Sequence, residues 1–405
     1  MIKYEQKNGS SRVFQRGAVS LFVVIFTALL VTIITVSFIA LMIQGQRQAT
    51  SEDLSRSAYD SAQAGVEDAK RALVEYSAAC TGGNVQRCTD LDQTFKQGSC
   101  RTLQDAGIAN TTENEVLIKQ QEGDKQLQQA YTCVKLTTDS PDYIGTLDTS
   151  TSRLVPLRGV SDFNRITLEW FMESDLQKND DDTTPTTVTL PTTAGAQLPA
   201  LADWPNNQPA LVRSQLIQFG TSGFRLTDFD AAVDGKSNAN TLFLYPSGAI
   251  DEGVPAGTFN FSNDIRKSQD TRNLSQVKCS NTFTAYYACK ATITLPQAVG
   301  QNDAKRTAYL RLSALYGTGN NFRIQLFNNA TQVNFAGVQA IVDSTGRAND
   351  QFRRVQSRVE LDGSAFPYPE AAVEVTGNLC KTFLVTDNPA DYNDGGCRPD
   401  EYTTN

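Results

Sequence analysis

Residues 17–48 read GAVSLFVVIFTALLVTIITVSFIALMIQGQRQ, and no charged side chain occurs from Gly17 through Gln46. Between Ala18 and Ile43 the only polar residues are Ser20, Thr27, Thr32, Thr35 and Ser37. As an α-helix this stretch would extend about 39 Å at ~1.5 Å per residue, against a hydrocarbon core of about 30 Å. A chain in lipid must satisfy its own backbone hydrogen bonds, so helix is expected despite the many β-branched residues. A cleavable secretory signal carries a shorter apolar core, about 7–15 residues, followed by a small-x-small site. Here the polar run Gln44-Gly45-Gln46-Arg47-Gln48 follows with no such site. The segment is therefore expected to stay attached as a membrane span over 18–43.

Reading outward, Met1 to Gly17 forms a polar leader with Lys3, Lys7, Arg12 and Arg16 against a single Glu5. Positive charge at one end of a span favours the cytoplasm for that end, which would place the bulk of the chain outside. On the other side of the span, Leu54, Ala58, Ala62, Val66, Ala69 and Leu73 recur at steps of three and four. That spacing is one apolar stripe of an amphipathic helix, and Glu67 to Arg71 is spaced for an i,i+4 ion pair on its wet face. The helical signal runs out near Ala79, ahead of Thr81-Gly82-Gly83-Asn84. A single rod of about 60 residues is expected, half in lipid and half lying on something apolar. An ordinary single-span anchor with a short stalk is the plainer reading of the same stretch.

Composition narrows the function. The chain has 405 residues, 36 Lys plus Arg against 44 Asp plus Glu, and no histidine. Without imidazole there is no Ser-His-Asp or Cys-His nucleophile system and no His-ligated zinc. An acidic chain with no basic block is poorly suited to nucleic acid, and none is expected as a partner. No nucleotide-binding loop, G-x-S-x-G elbow or H-E-x-x-H pair occurs, so no enzyme activity and no cofactor are expected. Carboxylate-only hydrolysis stays open by composition, but no candidate pair stands out. The eight cysteines, Cys80, Cys88, Cys100, Cys133, Cys279, Cys289, Cys380 and Cys397, are even in number and contain no C-x-x-C. With an outside location they are disulfide candidates.

A charged leader ending in Arg16-Gly17, then Ala18-Val19-Ser20-Leu21-Phe22-Val23-Val24, then an unbroken apolar run entering an amphipathic helix, resembles the type IV pilin superfamily. The resemblance is greatest to PilX-type minor pilins and to the K-type minor pseudopilins of type II secretion, and it covers about 15–79. It implies a prepilin peptidase that cuts between Gly17 and Ala18, methylation of the new amine, and a long helix packed in a filament core. It implies as partners other pilin subunits, the prepilin peptidase and the inner-membrane assembly machinery, with a pilus or cell-surface location after assembly. Many major pilins have a glutamate at the fifth mature position; here that position is Phe22. Because an unpaired ammonium is costly in a dry core, this departure suits a fibre end or a rare component.

Beyond the rod, 80–160 reads as a cysteine-containing region. Its nearest-neighbour pairings would be Cys80 with Cys88 and Cys100 with Cys133, among three possible connectivities. Strand-like runs occur at 127–136 and 166–170. Residues 180–210, with Asp180-Asp181-Asp182, many threonines and five prolines, read as a loop or insertion; the aspartates suit a solvated turn better than a calcium site. Short strands are expected at 212–219, 241–245, 288–295, 309–316 and 322–327. A hairpin is expected from 340–343 and 351–361 around a turn at Ser344-Thr345-Gly346, with Val355, Val359 and Leu361 inward and Arg354, Gln356, Arg358 and Glu360 outward. The tail 362–405, with Cys380 and Cys397, resembles the disulfide-bounded C-terminal loop of many pilins, a closure that would stabilise by about 3 kcal/mol. Asp391 to Asp394 alternates oxygen ligands before Gly395 but lacks the downstream glutamate of a calcium loop, so a plain turn is the reading.

The fold expected is therefore α+β: a long N-terminal transmembrane and amphipathic helix (18–79), then a mainly antiparallel β domain (161–361) outside the membrane with disulfides. The function implied is a minor pilin or pilus assembly protein, with roles in assembly or surface adhesion. A permanently anchored surface binding protein, outside any filament, is the alternative.

Overall fold

The computed structural model describes residues 16–109, 115–118, 128–149, 151–178, 182–183, 185–192, 198–218, 239–249, 257–260, 274–283, 286–300, 308–317 and 320–361. The chain divides into Met1–Asp362 and Gly363–Asn405, and every described residue belongs to the first unit. Cys380, Cys397 and the Asp391–Asp394 stretch lie outside the described residues.

Helix α1 runs unbroken from Arg16 to Thr81, 66 residues. The stripe read from its spacing is the face it buries: Ala58, Ala62, Val66, Ala69 and Leu73 are all at most 5% exposed. The expected Glu67–Arg71 pair is replaced by two i,i+3 pairs, Lys70 to Glu67 at 2.6 Å and Arg71 to Asp68 at 3.0 Å. Asp68 is held at the edge of the docked face by a tyrosine of the sheet, and Arg71 turns toward that nearer carboxylate. After α1, Asn84 caps α2 (Val85–Gln97) by accepting from the Arg87 N–H at 3.2 Å, and a short α3 (Thr102–Asp105) follows.

Among the described residues fifteen strands follow: β1 (Val116–Leu117), β2 (Ala130–Ser140), β3 (Tyr143–Leu147), β4 (Arg153–Leu157), β5 (Phe163–Met172), β6 (Leu211–Gln218), β7 (Ala239–Ser247) and β8 (Thr258–Asn260), then β9 (Leu274–Lys278), β10 (Tyr287–Val299), β11 (Ala308–Tyr316), β12 (Asn320–Asn328), β13 (Thr331–Val333), β14 (Phe335–Ala348) and β15 (Gln351–Glu360). All pairings among them are antiparallel except β8 with β10 and β7 with β9. The strand at 127–136 thus lies slightly later than its composition suggested, and 166–170 is the centre of a longer strand. Among the described residues of 180–210 there is no strand, only one 3-10 turn at Leu201–Asp203.

The strands form three sheets. One, ordered β1-β2-β14-β15, carries the second half of α1. Its core joins Val66, Ala69, Ala72 and Leu73 to Leu91 and Phe95 of α2, and to Val134, Leu136, Ala340 and Val342 of the sheet. The other two pack face to face as a sandwich, β13-β12-β5-β10-β8 with β3 beside β12 over β4-β11-β6-β7-β9. Alternation sorts their sides: Ile166, Leu168 and Trp170 of β5 pair with Leu326, Ile324 and Phe322 of β12 and point inward, while Arg165, Thr167 and Glu169 take the other face. Strands from 80–160 and from 161–361 share these sheets, since β2 pairs with β14 and β3 with β12.

The hairpin reverses elsewhere than expected. β14 continues straight through Ser344-Thr345-Gly346, and the two-residue connection is Asn349-Asp350, with Asn349 at φ 47°. Gly346 serves a close approach instead of a turn: a Cβ there would fall inside contact distance of the Ala58 carbonyl and the Ala62 N–H of α1. Across from it, Val355, Val359 and Leu361 reach the margin of the helix–sheet core, half-buried.

Candidate assembly interface

The two halves of α1 have opposite environments. Every residue from Leu21 to Ile43 is exposed; Phe22 is 74% and Phe38 69% open. The hydroxyls within this half turn back onto their own helix, Thr27 to Val23 O (2.8 Å), Thr32 to Ala28 O (2.7 Å), Thr35 to Val31 O (2.7 Å) and Ser37 to Ile33 O (2.8 Å). Each hydroxyl proton is thereby satisfied, and the outer surface of the half-helix is hydrocarbon all round. The helix is long and apolar enough to cross a membrane.

From 44 to 53 the helix is polar and exposed, and the docked half begins just beyond. There Arg353 Nε of β15 donates to Ser55 Oγ at 2.7 Å, and the Tyr131 hydroxyl of β2 donates to Asp68 Oδ2 at 2.8 Å. Burial first, and then that bond to an anion, hold the Tyr131 phenol above its ordinary pKa. Further along, Tyr143 of β3 donates to Glu360 Oε1 at 2.8 Å and is raised for the same two causes. Arg358 donates to Asp142 Oδ1 at 2.7 Å, and Arg347 pairs with Glu115. The charged row of β15 is therefore engaged within the molecule; Arg354, on the outer side, pairs with Asp343 of β14.

Gly17 and Ala18 fall in the first turn of α1, which opens at Arg16, and the leader ahead of them lies outside the described residues. Disulfides join Cys80 to Cys88, Cys100 to Cys133 and Cys279 to Cys289, with Cα separations of 4.9, 4.4 and 4.3 Å. The first ties the end of α1 to α2, the second ties the segment before α3 to β2, and the third crosses between the end of β9 and β10. No free cysteine remains among the described residues. Of the triplet at 180–182 only Asp182 is described, and it accepts from Lys178 Nζ at 2.6 Å. No cluster able to hold a metal ion occurs among the described residues.

Two concave features had no signal in the sequence. One, of about 350 Å³, lies where α1 and α2 meet β2 and β14, walled by Tyr76, Asp92, Lys96, Asp139 and Arg158. Burial raises the Asp139 carboxyl above its usual range there, opposed by the nearby Lys96 ammonium. The other, of about 280 Å³, sits at one end of the sandwich beside Phe171, Trp204 and Gln208. Each wall is assembled from segments far apart in the chain, which spacing alone does not bring together. No family model, no curated protein and no solved structure matches the chain.

Proposed function

We propose that this chain is a minor pilin-like subunit of a type IV pilus-like filament, and that its work is assembly, with the β-rich part presented for surface contact. The observation that carries the reading is the division of α1. One uninterrupted 66-residue helix has a first half of bare hydrocarbon and a second half fastened to a sheet. Such a rod is stable in a bilayer, where lipid covers the apolar half, and equally in a bundle, where neighbouring rods replace lipid. Transfer from one to the other exchanges like surface for like. A cut between Gly17 and Ala18 would remove the charged leader and let the rod leave the membrane, drawn by the inner-membrane assembly machinery. Phe22 supplies no carboxylate for a neighbour's amine, which favours a terminal or rare position over repetition along the fibre.

Mass spectrometry of the protein from its native cells tests this. A mature N-terminus at Ala18 and presence in sheared surface filaments are expected, and Gly17→Ala is expected to block maturation. An intact Met1 leader in the native protein would refute the reading and leave a permanently anchored surface protein in its place.

A further inference from the structure

The sheet that carries α1 ends on a long open edge. Its order, β1-β2-β14-β15, gives β15 a neighbour on one side only. Leu361 N–H donates to Val338 O at 3.0 Å, and this pair continues the register that runs from Gln339↔Glu360 to Ala348↔Gln351. In an antiparallel ladder, residues alternate between bonding to the neighbour and facing away from it. The backbone of Gln351, Arg353, Val355, Ser357 and Val359 therefore turns toward β14, and that of Phe352, Arg354, Gln356, Arg358 and Glu360 turns outward. These outward N–H and C=O groups have no backbone partner among the described residues.

Natural sheets protect such edges with short strands, Lys, Pro, bulges or a covering element. Elsewhere in this molecule the first device is used: the other strands at sheet margins, β1, β3, β4, β8, β9 and β13, have two to five residues. β15 has ten, contains neither Pro nor Lys, and keeps its register with β14 without a bulge. Its charges do not guard it either. Arg354 pairs with Asp343 of β14, Arg358 with Asp142, and Glu360 accepts from the Tyr143 hydroxyl. Three charged side chains are thus drawn back over their own molecule, and the backbone between them is left accessible.

The partner's chemistry follows from the two side-chain rows of this edge. Alternate residues along a strand lie about 6.8 Å apart, and a donor and acceptor repeating at that interval is matched by an extended polypeptide. On the helix side, Val355 and Val359 are half-buried at the margin of the core. Arg353, in the same row, reaches Ser55 Oγ at 2.7 Å but no carboxylate among the described residues. An added strand with β-branched residues beside the two valines would cover them, and an acidic residue beside Arg353 would supply its counter-charge. On the other side Phe352 is 55% exposed and the Gln356 side chain is open, so an aromatic and a carboxamide find partners there. We infer that the outer edge of β15 binds an extended acidic segment of another polypeptide by antiparallel strand addition, with backbone bonds for affinity and Arg353, Val355 and Val359 for selection. The assignment does not depend on the filament reading, since it uses only the edge.

The test uses the full chain in detergent and a fluorescent peptide, Thr-Val-Thr-Thr-Gln-Val-Thr-Glu-Tyr-Thr, which sets its valines opposite Val359 and Val355 and its glutamate opposite Arg353. Fluorescence anisotropy is expected to show saturable binding. N-methylation of the peptide residues opposite Arg354, Gln356 and Arg358, whose amides face β15, is expected to abolish it. Methylation opposite Val355 and Ser357 is expected to leave it intact. Gln356→Pro removes an outward donor without touching a bond to β14, and is expected to weaken binding by at least about tenfold. Arg353→Glu is expected to weaken it by about tenfold and to be rescued by the peptide carrying lysine in place of glutamate. Should Gln356→Pro fail to fold, the methylated peptides and the charge swap decide. No binding, binding indifferent to which amides are methylated, or undiminished binding by folded Gln356→Pro would overturn the assignment. So would pairing of β15 with a second copy of the chain that excludes the peptide.

Discussion

Tyr131 shows how one hydroxyl ties a helix to a sheet. Its phenol is nearly fully buried and donates to Asp68 of α1, a carboxylate that keeps partial contact with water and with Arg71. Tyr131→Phe removes that bond and leaves Asp68 partly hydrated, so a loss of about 1 kcal/mol is expected in urea denaturation. The pH dependence follows from the raised folded-state pKa. The protonated phenol is favoured in the fold, so its contribution is present below the unfolded value, about 10, and is lost as pH rises above it. Tyr143, bonded to Glu360, behaves alike, and the double Phe variant is expected to flatten the alkaline limb of a stability–pH curve. Asp139 carries the opposite kind of consequence. Its carboxyl is raised mainly by burial, so the ionised form that prevails at neutral pH is disfavoured in the fold relative to the unfolded chain. Asp139→Asn should raise the melting temperature at pH 7, with the gain vanishing below the ordinary carboxylate pKa of about 4; no gain at pH 7 would contradict the burial argument.

Between elements, the decisive contact is α1 against β14. Small residues on both sides, Ala58, Ser61 and Ala62 facing Gly346, let helix and strand backbones approach without intervening side chains. Gly346→Ala would set a methyl against backbone atoms that have no rotamer to yield, and about 3 kcal/mol of destabilisation is expected, the upper end for overpacking. A chemical-denaturation midpoint indistinguishable from that of the parent would show that the helix can lift from the sheet at no cost. The Cys100–Cys133 bridge fastens the same region by closing a 33-residue separation. In the chain-entropy model it contributes about 3–4 kcal/mol, and Cys100→Ala with Cys133→Ala should lower stability by that amount. Non-reducing peptide mapping is expected to recover the three bridged pairs directly.

At the scale of the whole molecule, the first half of α1 contributes nothing to the fold that carries it. None of the residues from Leu21 to Ile43 is buried, whereas both hydrophobic cores lie beyond residue 57. A chain beginning at Arg47 should therefore unfold at the same temperature as the full chain in detergent, measured by near-UV circular dichroism. A drop of several degrees would mean that the apolar half supports the β-rich part. The full chain, by contrast, should require detergent to stay monodisperse, because that half exposes an apolar surface far larger than soluble proteins tolerate.

The local order of residues determined a good deal here. An uncharged run of the right length dictates a helix in lipid, a three-and-four spacing dictates which face of its continuation is buried, and period-two alternation places 322–327 as a half-buried strand; each is a property of neighbours in the chain. The partners of those faces were decided elsewhere. That Gly346 marks a helix contact and not a turn, that Asp68 of the helix answers Tyr131 of the sheet, and that Trp204 and Gln208 share a cleft with Phe171 all depend on segments from tens to hundreds of residues apart. Sequence spacing encodes the direction in which a side chain points, whereas the pairing of strands decides what it meets.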